Sequence, residues 1–260
     1  MENEKINPVN EENEEQRQKE ARAAEESIAG LKASSMVFGT PGSDGAAVLG
    51  EGDRELTRAH FNIVLGLVML WGFGVTTLIC ATFGPSLVTT LSVKIILIGY
   101  AVLALGGVFI TKKSGRPLIS FLGYNMVVLP MGFVLCMILN AYSASVIARA
   151  CAITGLTTIA MTILAVQLPK VFLKIGPALL IALVICAALE GLGLLFGWWK
   201  MSFDIPIALI FSGYIGYDFA RAQQYPATLD SAIDAACDLY MDVINLLIRL
   251  LPLLASKDDD

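Results

Sequence analysis

The chain has little charge, one histidine and no paired-cysteine motif. Charged residues make up 16% of its 260 positions, and His60, just ahead of the first apolar run, is the sole histidine. The five cysteines (Cys80, Cys136, Cys151, Cys186, Cys237) lie within or at the start of apolar segments. With neither CxxC spacing nor a histidine cluster, they read as small hydrophobes, and no structural metal site, organic cofactor or enzymatic metal is implied. There is no basic excess either. The formal net charge is -5, with the acids gathered in an N-terminal stretch and in the terminal triplet Asp258, Asp259, Asp260, so no nucleic-acid partner is suggested. An apolar region close to the N-terminus is also missing, which contradicts a secretory signal.

What the chain has instead is apolar residues, at 56%, and a mean hydropathy of +0.69. That exceeds what a soluble domain of this size carries and places the chain among polytopic membrane proteins, with the lipid bilayer as its first partner. Residues 1–55 form a separate block. A Glu/Gln/Lys/Arg-rich run from Glu11 to Glu26 is followed by a Gly/Ser/Ala/Pro stretch without a sustained apolar face. This reads as a disordered acidic cytoplasmic tail that could recruit protein partners.

Residues 56–260 form the second block, an all-α bundle of seven transmembrane helices, since unbonded backbone is not tolerated in lipid. The expected spans are Phe61 to Phe83, Ser92 to Thr111, Leu118 to Leu139, Val146 to Leu168, Ile175 to Trp199, Ile205 to about Arg221, and about Cys237 to Ala255. Basic residues fall in alternate joints: Arg54 and Arg58, then Lys112, Lys113 and Arg116, then Lys170 and Lys174, then Arg221. The positive-inside rule therefore puts the N-terminus in the cytoplasm and, after seven crossings of a cell (inner) membrane, the C-terminus outside. The polar seventh segment could instead enter and return. Trp198, Trp199 and Tyr142 read as headgroup-level anchors, and Pro130 and Pro169 as kinks or packing points.

The chemistry concentrates in the last two spans. Asp218 closes the sixth and Asp242 lies inside the seventh, where an aspartate at a helix centre costs about 2.5 to 3.5 kcal/mol and so calls for a partner, water or an ion pathway. Asp234, Asp238, Asp242 and Asn245 are three or four residues apart and form one polar stripe on a helix. Arg221 follows Asp218 by one turn and could neutralise it, while Arg249 could pair with Asp242. Glu190, deep in the fifth apolar run, reads either as a protonated packing residue or as part of the same pathway. Two facing carboxylates in a low-dielectric site do not both ionise easily, so Asp218 and Asp242 together suit a pH sensor or a transient cation site.

The run Phe211-Ser-Gly-Tyr-Ile-Gly-Tyr-Asp218, with Asp230-Ser-Ala-Ile-Asp234-Ala-Ala-Cys-Asp238-Leu-Tyr-Met-Asp242-Val-Ile-Asn245 after a polar joint, resembles the Bax inhibitor-1 (TMBIM) family. Val146-Ile-Ala-Arg-Ala150-Cys-Ala-Ile-Thr154 is similar to its span-four signature. The resemblance implies a pH-sensitive calcium leak channel in which the aspartates matching Asp218 and Asp242 form a hydrogen-bonded sensor and calcium is the permeant ion. Three features depart from the family pattern. Leu129-Pro130 stands where a Gly-Pro pair is usual, Gly155 follows Thr154 where an alanine is usual, and the stretch from Ile95 to Ile110 lacks the basic residue that latches the sensor in some members. Only Lys94 and Lys112 remain at the ends of that span, which puts the latch in question.

Other classes of membrane protein draw on the same residue types. An aspartyl protease of the presenilin type shares Tyr217-Asp218, but Asp242 follows Leu239-Tyr240-Met241 rather than a Gly-x-Gly pattern, so no enzyme is expected. A proton-coupled secondary transporter using Asp218, Asp242 and Glu190, and a non-conducting membrane scaffold, are the alternatives to the channel. The transporter reading has no internal repeat to support it.

Overall fold

The computed structural model describes residues 55–90, 93–196 and 203–256. The acidic tail, Trp198, Trp199, Lys200 and the terminal aspartates lie outside the described residues, all of which fall within the compact unit Ala47–Asp260.

The described residues form seven helices, in order α1 (Arg58–Thr90), α2 (Val93–Lys113), α3 (Pro117–Leu139), α4 (Ala144–Gln167), α5 (Pro169–Phe196), α6 (Asp204–Ala222) and α7 (Leu229–Ala255), and no strand. Four of them, α1, α3, α4 and α5, are long and apolar enough within the described residues to cross a bilayer. Their exposed side chains are those a lipid-facing surface needs: Leu67 and Leu70 on α1, Leu156 and Ile159 on α4, Ile181 and Val184 on α5.

Several boundaries differ from those read off the hydropathy. α1 continues past Phe83 to Thr90. α5 starts at Pro169, six residues ahead of Ile175, because proline fits the first helical position, where its missing N–H goes unused. Pro169 thus opens α5 and is no kink in α4; Leu168 alone joins the two helices. α7 starts at Leu229, eight residues ahead of Cys237, where the Thr228 hydroxyl accepts from the Ser231 N–H at 3.2 Å and caps the new helix. Apolar counting registered only the body of α7 and missed its polar opening turns. From Leu229 the helix runs 27 residues without a break, about 40 Å of rise. That continuity replaces the entering-and-returning segment the sequence left open.

Helices α1, α2 and α3 pack as one group, and α4, α5 and α6 as another; the two meet principally through α7, which touches members of both. α7 is the bundle's central helix, and its composition explains why. Ala232, Ala236, Tyr240, Leu246 and Leu251 are all but inaccessible, on directions that differ from the polar stripe. The interface with the first group is built on Tyr240, whose hydroxyl lies 2.6 Å from Thr76 Oγ1 and whose ring meets Tyr124 edge-on at 5.8 Å. Tyr124 in turn donates to Val68 O at 3.0 Å and lies directly over Gly72, where a Cβ would sit 2.0 Å from the phenol oxygen. Only glycine leaves room for that ring.

Candidate functional site

The polar stripe on α7 meets the end of α6 and the end of α2. α6 runs antiparallel to α7, so Asp218 and Arg221 in its last turns face Asp238 and Asp242 in the first half of α7. Both Asp218 and Asp238 keep only 12% of side-chain exposure, and Asp242 is buried at 7%. The Asp218 and Asp242 carboxyls lie within hydrogen-bonding reach of one another across this interface. Asp242 Oδ2 is buried and meets no N–H or O–H donor. Two ionised carboxylates offer acceptors alone, so a hydrogen bond between them requires one shared proton.

Asp238, one turn before Asp242, carries the ionic contacts. Arg221 Nη2 donates to Asp238 Oδ2 at 2.8 Å, and Lys112 Nζ reaches the same oxygen at 2.5 Å. Arg221 also faces Asp218, at a longer 3.6 Å. Its guanidinium stands over the rings of Tyr217 and Tyr225, 5.5 and 5.7 Å from their centroids. One arginine and one lysine thus lie beside three carboxylates, and a single shared proton brings the cluster close to neutrality.

Lys112 changes one expectation. The body of α2 has no basic residue, but the long side chain at its end reaches back to Asp238, supplying a cation to the site from the α1–α3 group. Burial acts to lower the pKa of its ammonium; the Asp238 carboxylate outweighs that, with help from Tyr225 and Asp234, and the net shift is upward.

The opening turns of α7 add two carboxylates ahead of the apolar body. Asp230 is buried and accepts from Ser120 Oγ at 2.6 Å. Burial pushes the Asp234 carboxyl up to about 8; Lys112 opposes the rise, and Asp230 and Asp238 add to it. Asp234 Oδ1 is also without a hydrogen-bond donor. The link between Arg58 and Tyr225 O, together with Leu56 N–H to Ala227 O at 2.5 Å, fastens the entry of α1 to the α6–α7 joint beside this cluster.

Two residues that could have joined the pair belong elsewhere. Arg249 does not pair with Asp242. It forms a two-pronged bond to Glu190, Nη1 to Oε1 at 2.6 Å and Nη2 to Oε2 at 3.0 Å, and Nη1 also contacts Asp204 Oδ1 at 3.1 Å. Glu190 is therefore paired with Arg249, at the opposite end of the polar face of α7 from the Asp218–Asp242 pair. Asp204, in the first turn of α6, was not singled out from the sequence, although an acid at a helix start is a recognisable signal. Asn245 is half-buried on α7, between the two clusters. Among the described residues, no group of three or more His, Cys, Asp or Glu side chains could hold a metal ion.

The fold and this site define a class: an all-helical membrane protein whose central helix carries a buried carboxyl pair and an ionic cluster. A family model described as "Inhibitor of apoptosis-promoting Bax1" matches residues 55–259, and the chain belongs to that family, the Bax inhibitor-1 (TMBIM) family. A Campylobacter jejuni protein named "Uncharacterized protein Cj0236c" is 31% identical over 113 residues, 43% of this chain and 48% of that protein. The match thus spans about half the length of that curated relative. No solved structure matches the chain.

Proposed function

We propose that the protein is a passive calcium (cation) leak channel gated by the protonation state of the Asp218–Asp242 pair. The observation that carries this reading is the pair itself: two carboxyls within hydrogen-bonding reach, one of them buried and without a donor, where α6 meets the central helix. Family membership favours the same reading.

The chemistry follows from charge. With one proton shared, the pair binds α6 to α7 by a carboxyl–carboxylate hydrogen bond. Loss of that proton places two negative charges together. This drives the helices apart and raises the attraction for a divalent cation, which Asp218 and Asp242 hold in passing as cargo rather than as a resident metal. Asp238 keeps Arg221 and Lys112 close enough to bias the proton equilibrium and far enough from Asp242 to leave its Oδ2 open. The tail faces the cytoplasm in the inner (cell) membrane, which puts this cluster near the cytoplasmic mouth, and no catalytic step is assigned.

Calcium-indicator-loaded proteoliposomes test conduction. The channel reading expects uptake that follows the calcium gradient and reverses with it. Uptake that requires a proton gradient, or that accelerates with substrate on the opposite face, contradicts it in favour of the transporter.

A further inference from the structure

The polar face of α7 does not stop at Asp242. Asn245 and Arg249 are three and seven residues further on, so the three share one face of the helix, and Arg249 stands about 10 Å beyond Asp242 along the axis. At that position Arg249 fills the seam with a guanidinium held by two helices of the second group, Glu190 from α5 and Asp204 from α6. α5 packs chiefly on α6, and the Glu190 bridge is a long-reach tie between α5 and the central helix. The three side chains keep 28%, 29% and 18% exposure. The tie is therefore only partly shielded and can exchange with water more readily than a core contact.

Resting on the channel reading, we propose that Arg249, clamped by Glu190 and Asp204, is a second closure of the pathway at the end of α7 remote from the Asp218–Asp242 pair. While clamped, the guanidinium lies across the polar seam and occupies both carboxylates, so neither is open to an approaching cation, and the two-pronged bond holds it in place. Opening there requires Arg249 to leave Glu190, which frees α5 from α7 without disturbing the hydrophobic contacts of α7 with α1 and α3. The device differs from the carboxyl pair in kind: it is an ion pair broken by displacement, and it engages α5, which gives no side chain to the Lys112–Asp238–Arg221 cluster.

The test uses the full chain in proteoliposomes, with Asn245→Cys as a reporter between the two clusters and a membrane-impermeant maleimide added from the face at which α7 ends. Labelling is read on the peptide containing position 245. Arg249→Gln and, separately, Glu190→Gln raise the labelling rate by about tenfold, the scale expected for losing hydrogen bonds to a charged group, and raise calcium flux in parallel. If Arg249→Gln fails to fold, Glu190→Gln carries the test, because it leaves Arg249 bonded to Asp204. Unchanged labelling in a folded Glu190→Gln variant overturns the proposal, even if the native protein conducts calcium. Increased labelling without calcium flux at any pH supports the closure and overturns the channel reading, so the two failures are distinct.

Discussion

Lys112 and Arg221 donate to the same oxygen, Asp238 Oδ2, at 2.5 and 2.8 Å. One cation comes from the group formed by α1 to α3 and the other from the group formed by α4 to α6, so a single carboxylate on the central helix joins the two halves at this end. The arrangement makes Asp238 a positioning residue for the pair one turn away.

Removing Lys112 with Lys112→Met takes one positive charge from the neighbourhood of Asp218, which it influences directly. The pair then holds its proton to a higher pH. The midpoint of the pH-dependent flux is expected to rise by about one unit, given roughly 1 to 2 kcal/mol between charges some 10 Å apart at an effective dielectric near 20. A titration of calcium flux in the variant checks this, and an acidward or absent shift contradicts it.

Asp234 gives a stability prediction with a definite sign. Its folded pKa of about 8 lies above the ordinary carboxyl value near 4. The folded state therefore binds a proton that the unfolded chain has released, and stability from this group falls as pH rises from about 4 to 8. Asp234→Asn removes that dependence. It is expected to flatten the thermal midpoint over this range and to raise it at pH 8, measured by unfolding in detergent.

Gly72 tests the core behind the site. A methyl group there would sit 2.0 Å from the Tyr124 hydroxyl and 3.0 Å from the Tyr240 ring. Gly72→Ala is expected to destabilise by about 1 to 3 kcal/mol, as overpacking does. Combining it with Tyr124→Phe should cost less than the two single losses added together, because the principal clash is then gone. A strictly additive thermal cycle would contradict the contact.

The seven-helix architecture and the stripe from Asp234 to Asn245 were legible because both follow from helix periodicity and span length. The partners were less legible, because they come from other helices and far along the chain. Lys112 reads as a solvated joint residue, yet its four-carbon stem reaches Asp238, 126 positions away. Arg249 could have paired with Asp242 only from about two turns away, and Glu190 and Asp204 offer it two carboxylates across helix boundaries and win that contact. The early starts of α5 and α7 were hidden for a different reason: proline at the first helical position and a threonine cap start helices in polar sequence, where hydropathy carries no signal.

The central claim concerns the proton on Asp218 and Asp242, and the most direct measurement is calcium flux into indicator-loaded proteoliposomes from pH 6 to 8 for the native protein, Asp218→Asn and Asp242→Asn. The account predicts flux that varies with pH in the native protein and loses that variation in each variant, since either change abolishes the shared proton while keeping the side-chain shape. Flux with the native pH profile in both variants, or none from folded and inserted native protein, would contradict it.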